Sequence, residues 1–354
     1  MQKGKIMGNT YFERVHEQTP TRFWINNVTR KQAQLAIEHG AVGCTQNPAY
    51  TWKMITNEEE KDYVDGIISN IIKNEDDDNM ALVALQRELI GGVARVFHPL
   101  FERSCGKQGY VSIQGDPFNE KKEAIIDYAH FNREGGENMM CKIPAVPDGL
   151  AAIEELIRQN VPINATECMA IRQVLDVCEL YEKTTKNMIN PAPLYFSLIT
   201  GIFDECVANE VKEQNIDISS DKLWLGGLAV AKKCYEIIKK RGYKAGWISG
   251  GARGLHHFTE MVGGDCVITI NWKGTADKLI DENPPVVSRF FNPVDQDIID
   301  ELTEKIPTFK KAFCINGITP DEYEDYSPVV LFRRSFEDAW ENARSHIASL
   351  RNRS

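Results

Sequence analysis

Two segments on either side of one helix decide the fold: Met139-Met-Cys-Lys-Ile-Pro144 and Val161-Pro-Ile-Asn-Ala-Thr166. Each is a short apolar run ending in polar residues. The stretch between them, Asp148 to Gln159, has the apolar spacing of an amphipathic helix. This strand–helix–strand order is the unit of a parallel sheet, whose strands are covered on both faces and should be dry. Lys142 stands fourth in the first run. A cation there is costly unless it is paired or used, and burial drives its amine toward the neutral form. A neutral lysine amine attacks carbonyls and forms Schiff bases. The competing reading is a strand-end lysine whose head reaches water.

Outward from this unit the same rhythm repeats. Toward the N-terminus, strands are expected at Thr21 to Asn26, Ala41 to Thr45 and Gly109 to Gln114. Thr29 caps a helix over Lys31 to His39, and a long helical region runs from Glu58 to Leu100. The acidic run Asn74 to Asn79 interrupts that region and reads as a solvated loop rather than a metal site. A helix follows over Lys121 to Asn132. Toward the C-terminus, strands are expected at Leu194 to Ser197, Lys244 to Ser249 and Cys266 to Ile270. Helices are expected at Met169 to Thr184, Leu228 to Arg241 and Leu255 to Val262, with a helical excursion from Thr200 to Leu225. Eight strands alternating with helices predict an α/β fold, a (β/α)8 TIM barrel with helical insertions. The expected organisation is a single domain over 1–354, with a barrel core at about 21–285 and a C-terminal helical extension at about 286–354. That extension carries helices at Asp297 to Lys305 and Arg334 to Leu350.

Bulk properties narrow the function. The chain has 354 residues, 42% hydrophobic and 26% charged, with net charge −10 and scattered basic residues. Nucleic-acid binding is not expected. No apolar run is long enough to span a membrane, and the first twenty residues lack a signal core, so a cytoplasmic location is expected. The nine cysteines include no Cys-x-x-Cys pair, and the seven histidines make no metal spacing. Neither a metal nor a cofactor is predicted.

Barrel strands alternate inward and outward side chains, and active sites lie at their C-terminal ends. Parity aims Lys142, Asn164, Thr166, Ser112, Gln114, Tyr195 and Ser197 inward, while Asn26, Thr45 and Asn47 finish the first two strands. Inward amides and hydroxyls around a lysine suit Schiff-base chemistry on a polyhydroxylated substrate.

Several motifs now resemble one family. Gly43-Cys-Thr-Gln-Asn-Pro48 resembles the Gly-Val-Thr-Thr-Asn-Pro signature of the transaldolases. Lys142-Ile-Pro followed by Gly149-Leu-x-Ala and Asn164-Ala-Thr resembles their Schiff-base segment. Gly109-Tyr-Val-Ser-Ile-Gln-x-Asp-Pro117 and Tyr195-Phe-Ser-x-x-x-Gly201 resemble their third and sixth strands, and Phe332-Arg-Arg-Ser-Phe-Glu337 a C-terminal segment. The chain is thus identified as a divergent member of the transaldolase/fructose-6-phosphate aldolase family, class I aldolases.

The resemblance implies that Lys142 forms the Schiff base with a ketose or its phosphate. Cleavage leaves a three-carbon dihydroxyacetone unit that is transferred to an aldose or released. It places Asn47 and Ser197 on donor hydroxyls, Thr166 with Gln114 on a catalytic water, and Arg253 on an anionic acceptor group. It implies sugar or sugar-phosphate substrates, the pentose phosphate pathway and a homo-oligomer. Four positions depart from the pattern. Asn26 stands where the family has its acid/base aspartate, Gln114 where transaldolases have glutamate, Ile202 at a phosphate-binding arginine, and Gly251 at a strand-seven serine. Glu167 and Asp204 are carboxylates that could stand in as acid/base. Two alternatives follow: a barrel with impaired catalysis that binds sugar phosphates or regulates, and a different Schiff-base barrel of the deoxyribose-phosphate lyase type.

Overall fold

The structure is a computed structural model that describes residues 9–352. Eight parallel strands close into a barrel in chain order: β1 Arg22–Asn26, β2 Cys44–Thr45, β3 Val111–Gln114, β4 Met139–Pro144, β5 Ile163–Cys168, β6 Leu194–Leu198, β7 Gly246–Ser249 and β8 Val267–Asn271. The expected (β/α)8 TIM barrel is therefore the fold. Residues 1–8 and 353–354 of the expected domain lie outside the described residues.

Local chemistry sets the helix starts. Thr29 accepts from the Gln32 amide while the Gln32 side chain accepts from the Thr29 amide, a reciprocal cap that satisfies two otherwise free donors. Asp77 does the same one-sidedly for Asp78–Arg103, accepting from the Met80 amide at 2.8 Å. The acidic run read as a loop is thus partly a helix cap. Asn79 goes further inward, donating to Asp116 and accepting from the indole of Trp340.

Several elements differ from expectation. The long helical region breaks into Lys61–Ile71 and Asp78–Arg103 at the acidic run, as expected, but the second helix already starts inside that run. The stretch Leu255 to Val262 holds only one helical turn, His256–Thr259. Helices at Tyr11–Gln18, Ala49–Ile55 and Pro307–Phe313 were not expected. The C-terminal helix begins earlier than predicted, at Ser327, with Pro328 in its first turn.

The barrel interior is layered. Trp24, Tyr110, Met140, Ile248 and Val267 form a small apolar cluster with Tyr195 packed against it. The Trp24 ring fills the space where a Cβ on Gly43 would sit, 2.3 Å from its nearest carbon, so residue 43 has no room for a side chain. One or two residues further along each strand, the inward positions turn polar. The larger apolar cluster lies between the sheet and the helices. The C-terminal helix Ser327–Arg351 crosses that layer and reaches over the mouth of the barrel.

Candidate functional site

Register places the polar residues at one level. Gln114 pairs with Lys142 across β3–β4, and Lys142 pairs with Asn164 across β4–β5. A cavity of about 200 Å³ opens above them, lined by Asn26, Thr45, Asn47, Lys142, Ser197 and Arg253 among others. Ile202, Gly251, Thr269, Asn271 and Ser335 complete much of its wall.

Lys142 is 7% exposed, and among the described residues no ion pair or hydrogen bond holds its Nζ. Two rings of the C-terminal helix flank it instead, Phe332 and Phe336, with centroids 5.7 and 5.6 Å from Nζ. Burial pushes the amine down to about 8, against a smaller opposite pull from the carboxylates of Glu167 and Glu120. Roughly one amine in ten is then neutral at pH 7.

On the β1, β2 and β8 side, a chain of neutral groups lines the mouth. The Thr45 hydroxyl lies 2.8 Å from Asn26 Oδ1 and 2.7 Å from Thr269 Oγ1, and Asn26 Nδ2 donates to Asn271 Oδ1 at 2.9 Å. Asn27, in the left-handed region at φ 47°, donates from Nδ2 to Asn47 Oδ1 and accepts from the Asn47 amide. Asn26 is thus engaged in this lattice, and its amide does not titrate near neutral pH.

The β3–β5 side is different. Gln114 Nε2 donates to Glu167 Oε1 at 3.1 Å and to Glu120 Oε1 at 3.3 Å. Glu120 Oε2 meets Arg333 Nε of the C-terminal helix at 3.2 Å. Burial is the main cause that raises both carboxyls; Glu167 raises Glu120 further. Strand parity predicts that Glu167, next to inward Thr166, points outward. It does not, because its backbone is left-handed at φ 62°, where β5 slips register against β6. Gln114 Oε1, Thr166 Oγ1 and Glu167 Oε2 are buried without a protein partner, and so is Asn164 Nδ2. Asn164 Oδ1 accepts from the Ser197 hydroxyl at 2.7 Å.

Arg253 stands at the cavity edge with its guanidinium engaged. Nε lies 2.5 Å from Glu205 Oε2 and Nη1 donates to the Gly251 carbonyl at 3.1 Å. Ile202 lines the same wall. Gly251 has φ 69°, and a Cβ on Gly201 would lie 2.0 Å from its carbonyl oxygen, so the turns after β6 and β7 meet through two glycines.

Asp204, the other carboxylate considered from sequence, belongs elsewhere. It lies 3.0 Å from His257 Nε2 and accepts from the Gly227 amide. With His256 it forms the one group of three potential metal ligands among the described residues. His257 Nδ1 already accepts from the Arg253 amide, so both nitrogens of that ring are engaged, one by the turn that carries Arg253 and one by Asp204.

All ten sequence-selected residues come to this end of the barrel: Lys142, Gln114, Asn26, Thr45, Asn47, Ser197, Gly251 and Arg253 by the contacts above, and Asn164 and Thr166 by register. Glu120, Thr269, Asn271, Phe332, Phe336 and Arg333 were missed.

Comparison with known proteins gives the family. Residues 23–317 match the family described as Transaldolase/Fructose-6-phosphate aldolase. A transaldolase of Thiobacillus denitrificans is 27% identical over 167 residues, covering 45% of this chain and 46% of that protein. One from Trichodesmium erythraeum is 24% identical over 254 residues, covering 65% and 66%. The chain thus spans between about half and two thirds of these relatives. Among solved structures, an aldo-keto reductase from a Medee basin deep-sea metagenome library is 10% identical with a TM-score of 0.34, covering 81% of this chain and 91% of that one. That likeness is too loose to carry an argument.

Proposed function

The chain belongs to the transaldolase/fructose-6-phosphate aldolase family, and from that premise we propose that it is a class I aldolase or transaldolase whose nucleophile is Lys142. The observation that carries this reading is the buried amine on β4, unpaired among the described residues and pushed down to about 8 by burial. The amine adds to a ketose carbonyl and water leaves. Cleavage of the bond between the third and fourth carbons then leaves a dihydroxyacetone unit on Nζ. That unit passes to an aldose acceptor or is released after hydrolysis.

Asn47, Asn164 and Ser197 hold the donor hydroxyls in this scheme, and Gln114 with Thr166 holds a water. The engagement of Arg253 by Glu205 and the apolar Ile202 wall favour a substrate whose far end is a neutral polyol over a phosphate monoester, since a guanidinium already paired with a carboxylate offers little net charge. The barrel and the C-terminal helix act as one domain, because the helix closes the site.

Borohydride trapping tests the reading. The protein is incubated with fructose 6-phosphate and with unphosphorylated ketoses, reduced, and weighed intact. A mass increment that vanishes in Lys142→Met is the expected result, with the unphosphorylated ketoses at least as effective. No Lys142-dependent adduct with any ketose would sink the proposal.

A further inference from the structure

Taking Lys142 as the nucleophile, as above, we propose that Glu167 and Glu120, joined through Gln114, form the proton relay that frees its amine and dehydrates the adduct. Covalent chemistry at an amine moves protons at every step, and the neutral lattice of Asn26, Thr45, Thr269 and Asn271 offers amides and hydroxyls that do not titrate near neutrality. The groups able to do so lie on the opposite side. Gln114 sits beside Lys142 in register and bridges the two carboxyls with one amide nitrogen. Glu167 Oε2, Gln114 Oε1 and Thr166 Oγ1 are each buried without a hydrogen-bond partner among the described residues, so each has capacity left to accept from a water.

Charge balance supports the same conclusion. Two carboxylates are matched by Arg333 and by Lys142 as an ammonium. Once the amine is neutral, a second buried negative charge has no partner, so the proton is best kept on the pair. Glu337, on the same helix as Arg333, disfavours the Glu167 carboxylate further, and Glu324 does the same to Glu120. Both carboxyls accordingly sit above the ordinary range, with burial as the main cause.

The steps balance. An Nζ–H bond of the ammonium breaks and a carboxyl O–H forms. The neutral amine adds to the ketone carbon, and the nitrogen's proton moves to the former carbonyl oxygen. The carboxylic acid then gives its proton to that hydroxyl, the C–O bond breaks, and water leaves. A protonated imine on Lys142 and a carboxylate remain.

The test uses dihydroxyacetone as probe and follows the rate of borohydride-trapped adduct by intact mass across about two pH units either side of neutrality. Removing the Glu167 charge takes away a group that holds Lys142 protonated. A purely electrostatic role therefore predicts faster labelling in Glu167→Gln below pH about 8. The relay predicts the reverse: labelling slower by on the order of 100-fold, partly restored in Glu167→Asp. Glu120→Gln, with its partner still present, is expected to slow labelling by about tenfold. It serves as the second reading if Glu167→Gln does not fold. Labelling in either Gln variant at or above the wild-type rate, with the wild-type pH profile or one displaced to lower pH, overturns the relay and leaves the nucleophile standing. Absence of any adduct in the wild type overturns both.

Discussion

The two sides of the barrel mouth are built from opposite chemistry. Along β1, β2 and β8, Asn271, Asn26, Thr45 and Thr269 form a chain of neutral hydrogen bonds between 2.7 and 2.9 Å. Along β3 to β5, Gln114 gathers two carboxyls, and an arginine and the lysine complete the group. The neutral side consists of amides and hydroxyls, which do not titrate near neutral pH. The charged side is under-satisfied, and its ionisation states depend on one another. Proton movement suits the second and not the first.

The strongest way to break this division is Lys142→Met. Adduct formation and turnover should fall by on the order of a thousand-fold or more, as read by mass and by ketose cleavage. Stability should not fall with them. The folded amine lies near 8, below its unfolded value of 10.5, so its burial is unfavourable. That penalty is complete below about pH 8 and is relieved as pH rises toward 10.5. A thermal midpoint that drops at pH 7 would show that the ammonium supports the fold after all.

Thr45→Val probes the neutral side. It keeps the shape and removes the hydroxyl that joins Asn26 to Thr269, stranding groups in a buried place at about 1–3 kcal/mol. Chemical denaturation reads this directly; unchanged stability would mean that the lattice does not depend on Thr45. Asn26→Asp is the sharper comparison, since it places a carboxyl on the neutral side. With proton movement on the other side, turnover should change by less than about tenfold. A large gain would reassign the acid/base to β1. The smallest effect is expected at the rim. Glu205→Gln releases the Arg253 guanidinium, and KM for phosphorylated ketoses should fall a few-fold, in keeping with an exposed pair worth under about 1 kcal/mol. An unchanged preference for neutral over phosphorylated substrates would show that Arg253 does not face them.

Much of this was legible residue by residue. Strand parity aims Lys142, Asn164 and Ser197 at one point, and the Ser197–Asn164 hydrogen bond and the strand register agree. Period-two reasoning holds only while the backbone stays extended, however, and Glu167 escapes it through a single left-handed residue at a register slip. Asn271 lies one position beyond the expected end of strand eight at Ile270, because the polar side chain gives no sign that the backbone stays extended. The first helix, by contrast, carries a capping box that sequence alone displays, Thr10 with Glu13. Glu120 and Arg333 were beyond reach for another reason. They meet at 3.2 Å from a loop and a helix more than two hundred residues apart, with no local pattern linking them.

The C-terminal helix has a consequence for how such a protein diversifies. It supplies Phe332, Arg333 and Phe336 to the lysine's surroundings, yet it begins at Ser327, past the family match that ends at 317. The lysine and the roof above it thus lie on separate stretches of chain, one within the barrel strands and one in a terminal helix. Exchanging the roof between relatives would retune what the lysine meets without redrawing the barrel, so variation in this terminal helix is where new substrate preferences have the shortest route to appear.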